Sequence, residues 1–529
     1  MKATYIPRSQ TNSFTEQQLL LSENQTMLNE FIEMPFSKEA FLKQIELKSS
    51  NYSISNRKLL QSVLKSNYES LENNSKSLEN INKLSNETCF TITTGHQLSL
   101  LTGPIYFIYK ILHVIKQCEE LNELYPQNQF VPIFWMASED HDFEEVKSIS
   151  IFGKTMSWET NQSGAVGRMN MSGIDESLSK FKQFFTTNST NEIFELLNNL
   201  NGKTYGEAFF KFLHSMFADY GLVIIDGDER DFKKVFSNIM KKEIETRFSF
   251  HAVENSNQKL EKKNLKIQVK AREVNLFHLS NQKRERIIPT ATDFKIGDNV
   301  LSEKEILDLI EKEPESFSPN VILRPIYQEF LLPNLCYTGG VGELTYWLQL
   351  KEVFDSCQLT FPLIQARTSA LWIDSVSIQK LDKFNLQVTD LFKPISDLKK
   401  QILQMNETEN IDFKLVDFQF NQFRTDFSDK SNQIDPSLNS RIGAELARIE
   451  KQIENLKVQL EKSVKVKHEK SLVGIEQLKN KLFPSNSLQE RSVNFFQFCS
   501  DGNYSKRLDE IKDLIQPFNS DFLIIESKS

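Results

Sequence analysis

The sequence lacks the marks of several large protein classes. Its five cysteines, Cys89, Cys118, Cys336, Cys357 and Cys499, are scattered with no CxxC pair. That excludes a zinc ribbon and a dense disulfide framework, and fits a reducing compartment. No apolar run approaches the ~20 residues that cross a bilayer. The opening MKATYIPRSQTNSF is polar where a secretion signal carries an apolar stretch, so the expected location is cytoplasmic, with no membrane partner. Glycine (17) and proline (15) are sparse among 529 residues, which excludes a collagen-like or low-complexity chain. A basic excess is also missing. The 71 acidic and 63 basic residues leave a net charge of −8, so no nucleic-acid partner is expected.

What the chain has is apolar mass. Hydrophobic residues make up 39% and phenylalanine alone fills 41 positions, enough for a sizeable interior and, at this length, for more than one core. Residues 1–88, rich in Ser, Asn, Gln and Lys with Leu and Ile at helical spacing, read as a helical segment packed on the core. At Cys89 the pattern changes. CFTITTG is a short, β-branched, buried strand; PIYFIYKILHVIKQCEELNELY is a helix; FVPIFWMAS is a second buried strand. Strand, helix, strand is a βαβ unit of a parallel sheet, and the fold class is α/β. GLVIIDG adds a strand at Leu222–Asp226. VILRPIYQEFLLPNLCYTGGVGELTYWLQL reads as strand, loop, Gly-rich turn and helix, and LTFPLIQARTSALWI as another strand. The core thus spans 89–377 with insertions at about 150–215 and 251–320. The second insertion carries short alternating runs such as LKIQVKAREVNLFHLS and RERIIPTA that look like exposed strands.

Residues 378–484 read as a helical coiled-coil domain. Ile442, Leu446, Ile449, Ile453, Leu456 and Leu460 form an a/d seam, and Leu472, Ile475, Leu478 and Leu482 a second helix, folded back on the first. The seam implies helix pairing within one chain or between two. Residues 485–529, with FLIIE, return to the core as a strand.

Three constellations stand where parallel strands end, the place where such sheets bind ligands. In TTGHQLSLLTGPIYFIYK, Gly95 ends a strand, His96 and Gln97 project at its tip beside Thr94, and Thr102-Gly103 caps the next helix. Tyr106 and Lys110 share a helical face, so Lys110 is placed either to reach an anion at the helix start or to snorkel from a packed turn. The second is Ser138-Glu139-Asp140-His141-Asp142. Ionisable groups beside a buried strand are costly unless used, and such a cluster suits orienting an amine, accepting a proton or holding a divalent cation. In a strand, neighbours alternate faces, so only some of the four converge. The third is Tyr337-Thr338-Gly339-Gly340-Val341-Gly342-Glu343, a turn that lets backbone approach a ligand but is neither a Walker loop nor GxGxxG. Arg324 and Arg367, each ending or entering a core strand, read as carboxylate or phosphate clamps or as core ion pairs. His113, His214, His251, His278 and His468 read as structural or solvated, and no residue is assigned to a metal.

The segments TGHQLSLLTGPIYFIYK, FVPIFWMASEDHDFEE, LRPIYQEFLLPNLCYTGGVGELTYWLQL and FPSNSLQERSVNFFQF closely resemble the bacillithiol-biosynthesis cysteine-adding enzymes, the BshC family. The resemblance covers the whole chain. It implies a Rossmann-like core related to nucleotidyltransferases and class I synthetases, inserted connecting segments, and a coiled coil that makes a homodimer. It implies a ligase that adds cysteine to the amine of glucosaminyl-malate, through an activated cysteine carboxylate, to give bacillithiol. ATP or ADP is the implied cofactor, with Mg²⁺ as companion ion and no zinc site. In that reading Gln97, Thr102, Tyr106 and Lys110 bind the anionic partner or nucleotide, with Thr94, Gly95, His96 and Gly103 around them. Glu139, Asp140, His141 and Asp142 hold the cysteine ammonium and deprotonate the amine. Tyr337, Gly339, Gly340, Gly342 and Glu343 form the opposite wall, and Arg324 or Arg367 meets the malate carboxylates. TGHQ matches the HxGH signature of class I synthetases loosely, and no Lys-rich KMSKS loop is present. The alternative is a non-catalytic dimer that binds a nucleotide or thiol metabolite and regulates or scaffolds the pathway.

Overall fold

The computed structural model describes residues 1–185, 192–280, 282–407 and 412–527. The side chains of 403–407, 464–465 and 467–468 lie outside the described residues, and with them the reading of His468. So do residues 186–191 of the first expected insertion. Two compact units form: one from Met1–Ser9, Ser13–Trp372 and Ser487–Ile525, the other chiefly from Ile373–Asn486. Among the described residues no helix is long and apolar enough to cross a membrane.

The first unit is built on five parallel strands, β1 (Cys89–His96), β2 (Gln129–Met136), β3 (Val223–Asp226), β4 (Asn334–Gly339) and β5 (Leu363–Ala366), in the spatial order β3-β2-β1-β4-β5. This is the doubly wound Rossmann order, whose switch point lies between β1 and β4. The strands are buried almost throughout because parallel sheets are covered on both faces, and the polar residues in them, such as Thr91, Thr93 and Asn334, bond one another. Gly95 is required by a close approach: a Cβ there would stand 2.9 Å from the Trp135 carbonyl oxygen on β2. Helix α1 (Tyr106–Leu124) crosses from β1 to β2.

The VIL run is not a strand. Leu323, Ile326, Tyr327 and Leu331 repeat at helical spacing and form the buried side of α2 (Leu323–Leu331), so the following strand is NLCYTG and Arg324 sits on a helix. Pro325 is tolerated because it falls in the first turn. The terminal strand Phe522–Glu526 forms as expected, but it pairs with a strand at Lys2–Ile6, so the N-terminal segment is not wholly helical. The expected exposed strands LFHLS and RERIIP join an antiparallel sheet with Asp293–Ile296, Asn299–Ser302 and Phe317–Pro319. LKIQVKAREV takes no regular structure.

In the second unit the expected fold-back is absent. Asn439–Leu482 is one helix of 44 residues, with no Pro to stop it and Gly474 alone in its second half. Its first half pairs with Lys414–Ile434 and its second half with Ile395–Glu407, where Lys399 meets Glu476 (2.7 Å). Ion pairs Lys457–Asp417 and Arg424–Glu450 (3.3 Å) join descending to ascending positions, so the first half and Lys414–Ile434 run antiparallel.

The tips of β2 and β3 are fixed by a buried charge network. Lys233 lies between Glu139 (2.7 Å) and Asp228 (2.5 Å), and Arg168 grips Asp228 through Nε (2.6 Å) and Nη2 (2.8 Å). Asp226 accepts from the Ser138 hydroxyl and from Asp228 N (2.9 Å). Burial first, and the Asp228 charge second, push the Asp226 carboxyl up to about 7. The folded chain therefore retains a proton that the unfolded chain gives up near its ordinary value of about 4, and this group's contribution to stability falls as pH rises from about 4 to about 7. Asp226→Asn is expected to flatten that part of the melting-temperature profile; a profile with unchanged slope would refute the assignment.

Candidate active site

A cavity of about 990 Å³ opens at the switch point, entirely within the first unit. The end of β1 lines it with Gly95, His96 and Gln97, and α1 adds Tyr106 and Lys110. The His96 ring donates from Nδ1 to the Gln97 carbonyl (3.0 Å), so Nε2 is the acceptor for the Tyr106 hydroxyl at 2.7 Å. Burial, then the nearby Lys110 charge, lower His96 to about 4, so it is neutral at physiological pH. Gln97 Nε2 donates to Asp140 (2.7 Å) and Glu145 (3.0 Å). Thr94 lies beneath, its hydroxyl donating to the Thr338 carbonyl (2.7 Å).

Thr102 and Gly103 do not cap α1 and do not line the cavity. Both have positive φ, the helix begins later at Tyr106 with no side-chain cap, and the Gly103 carbonyl is taken by Asn494 (2.6 Å). Lys110 is buried. Its ammonium donates to the Gly95 carbonyl (2.7 Å) and to Glu343 (2.8 Å), so two of its three protons are spent on the protein rather than held for an anion.

The alternation expected for 138–142 fails because β2 has already ended at Met136. The chain turns, and consecutive residues Glu139 and Asp140 both reach the cavity. Their environments are opposite. Burial pushes the Glu139 carboxyl up despite Lys233 beside it. At Asp140 burial is outweighed by hydrogen bonds from His141 and Gln97 and by the Arg284 charge, which hold the carboxyl well below its usual range. His141 and Asp142 do not line the cavity: His141 stands behind it beside Asp140 (3.4 Å), Arg284 (3.3 Å) and the Phe277 ring (5.9 Å), and Asp142 caps the short helix Phe143–Val146.

Across the switch point, Gly340, Gly342 and Glu343 line the cavity from the turn into α3 (Val341–Trp347), whereas Gly339, the last residue of β4, does not. Tyr337 donates its hydroxyl to Glu343 and stacks on Trp347 at 4.4 Å. Arg367 faces the cavity but is no free clamp. It forms a bidentate pair with buried Glu490 (3.0 and 2.8 Å), which Ser369 and Ala370 N also satisfy. Arg324 bonds Gln328 (3.0 Å), lies 5.5 Å from the Tyr337 ring, and keeps Nη2 without a protein partner.

Sequence reasoning missed the basic wall from the second insertion. Arg284 pairs with Asp140 (3.4 Å), stacks on Phe277 (4.2 Å), and donates to Ser318 and the Pro319 carbonyl. It stands in an alternating charged run that reads as a solvated strand face, so no local signal marks it. Lys233 and Glu490 were equally hidden, one in an amphipathic helix and one far along the chain. Among the described residues no group of three or more His, Cys, Asp or Glu side chains is placed to hold a metal ion.

The comparisons agree with this architecture. The family model described as the bacillithiol biosynthesis BshC N-terminal Rossmann-like domain matches residues 1–368, and that of the BshC C-terminal coiled-coil domain matches residues 370–527. The chain is 38% identical to a Flavobacterium johnsoniae protein over 90% of both chains, and 36% identical to one from Christiangramia forsetii over 99% of both. A Bacillus cytotoxicus protein is 27% identical over 86% of this chain and 88% of its own. All three carry the name "Putative cysteine ligase BshC". With both domains matched in order along nearly its whole length, the chain belongs to the bacillithiol-biosynthesis BshC family.

Proposed function

We propose that the chain is an amide-forming cysteine ligase, joining the carboxyl of cysteine to the amine of glucosaminyl-malate in the switch-point cavity. The observation that carries this is the pair Glu139 and Asp140, adjacent carboxyls in one cavity whose environments drive their proton affinities apart. Such a split separates a base from a fixed anion. Asp140, ionised, is the counter-ion for the cysteine ammonium. Glu139, with its raised affinity, accepts the proton that the attacking amine loses as the C–N bond forms. Arg324, with an unused donor, meets a malate carboxylate. Tyr106, its proton committed to His96, offers its oxygen to an N–H or O–H of the substrate. Unpartnered cationic donors at the cavity fit a nucleotide's phosphates. A nucleoside triphosphate with Mg²⁺ would supply the activation of the cysteine carboxyl, as an adenylate or an acyl phosphate.

We further propose that the helical hairpin pairs two copies of the chain. The seam residues Leu456 and Leu460 remain 58% and 50% exposed beside Lys414–Ile434, as does Phe418 at 63%. Leu456→Glu is expected to halve the mass seen by light scattering; a monomeric mass before and after substitution would refute the dimer.

The activity test is mass spectrometry after incubation with cysteine, glucosaminyl-malate, Mg²⁺ and ATP. Condensed thiol is expected, with AMP marking an adenylate and ADP an acyl phosphate. Glu139→Gln should lower kcat by about 100-fold or more with a small change in KM. Asp140→Asn should raise KM for cysteine. Binding of substrates with no condensed thiol would overturn the ligase reading in favour of a metabolite-binding role.

A further inference from the structure

Residues 264–275 pass along the cavity mouth without joining a sheet. Side chains from distant parts of the same unit pin this strap. Gln17 accepts from Lys266 N (2.7 Å) and donates to the Lys266 carbonyl (3.2 Å). Buried Gln349 accepts from Gln268 N (3.1 Å) and Val269 N (3.0 Å) and donates to the Val269 carbonyl (2.8 Å). At the strap's own end, Asn275 accepts from Arg272 N (3.0 Å). Between these pins the residues alternate: Leu265, Ile267, Val269 and Ala271 are half-buried, and Lys266, Gln268, Lys270 and Arg272 are exposed. An extended backbone with period two sets one side against the protein and the other outward.

The outward side supplies Lys270 and Arg272 to the mouth, and the strand Lys283–Pro289 adds Arg286. Among the described residues none of the three has a carboxylate within ion-pairing distance. Three cations deeper in the unit are each matched by a carboxylate: Lys110 by Glu343, Lys233 by Glu139 and Asp228, Arg367 by Glu490. Behind the three stands Arg284, its side chain only 9% exposed and its Nε without a partner. In a chain of net charge −8, unmatched cations gathered at one opening over a buried guanidinium with an unused donor make a field opposite to that of the molecule.

We infer that the strap and the following hairpin form a polyphosphate-receiving wall. Lys270, Arg272 and Arg286 take the phosphates of a nucleoside triphosphate at the mouth, and Arg284 marks the inner end. This rests on the ligase reading above. A dicarboxylate shares the same chemistry but carries less charge than a triphosphate. It is also already provided for by Arg324 on the other side of the cavity.

The test is calorimetric titration of the full chain with Mg²⁺-ATP, adenosine and glucosaminyl-malate, repeated with Lys270→Ala/Arg272→Ala and with Arg286→Ala. These exposed side chains have no protein partner to lose, and an unchanged melting temperature will show that the variants fold. The double variant is expected to bind ATP about tenfold or more weakly, with a shallower salt dependence, and to bind adenosine and glucosaminyl-malate as before. Unchanged ATP affinity would overturn the wall while leaving the ligase reading intact. A loss confined to glucosaminyl-malate would overturn it by assigning these cations to the acceptor's carboxylates. No ATP binding by the unsubstituted chain would overturn the nucleotide reading itself.

Discussion

The buried ion pair between Lys110 and Glu343 holds the two sides of the switch point together. A parallel sheet whose strand order reverses between β1 and β4 leaves a crevice there, with the helix after each strand departing to opposite faces. Lys110, on the helix that follows β1, reaches back to the Gly95 carbonyl and across to Glu343 on the turn that follows β4. Glu343 in turn accepts from Tyr337 and from Gly340 N. One ammonium thus sets the spacing of both strand tips. Removing one partner of a fully buried pair costs ~3–5 kcal/mol, because the other charge is stranded. Glu343 keeps 24% of its side chain exposed, so the cost here belongs at the lower end. Lys110 is accordingly a positioning residue, and its value to the site is the geometry it imposes.

The same logic of matched and unmatched charge divides the cavity. On the β2 and β3 side, burial is severe and the charges are closely compensated, which lets two neighbouring carboxyls differ sharply in proton affinity. Lys233 sits against Glu139 yet shares itself with Asp228, so it does not fully offset the burial of Glu139. Asp140 instead collects donors from Gln97, His141 and Arg284. On the insertion side, Lys270, Arg272 and Arg286 are exposed and have no carboxylate beside them among the described residues, while the side chain of Arg284 behind them is largely buried and paired with Asp140. A compensated interior fixes proton positions, and an uncompensated rim attracts anions; the proposed joining of an amine to an activated carboxyl needs both.

How much of this was legible in the sequence follows from burial. CFTITTG and FVPIFWMAS announce themselves because strands covered on both faces carry no charges and are rich in β-branched and apolar residues. LRPIYQEFLL looks like strand and loop because a short apolar run before Pro favours extended backbone; the 3–4 spacing of Leu323, Ile326, Tyr327 and Leu331 is the signal that it is a helix. Residues 138–142 look like a continuing, alternating strand because the turn after Met136, which brings Glu139 and Asp140 to one cavity, has no Gly or Pro to mark it. The continuous helix Asn439–Leu482 was divided where its seam is interrupted, although polar residues alone do not end a helix. Arg284, Lys270 and Arg272 were invisible for a different reason: an exposed basic residue becomes part of a site only through what the fold sets opposite it.

The direct test of the proposed binding site is hydrogen–deuterium exchange with and without glucosaminyl-malate, the proposed acceptor. Ligand-induced protection in peptides spanning the β1 tip and α1, the turn after β2, and the turn between β4 and α3 is the expected result. Protection confined to Lys414–Ile434 and Asn439–Leu482, with the strand tips unchanged, would contradict a binding site at the switch point.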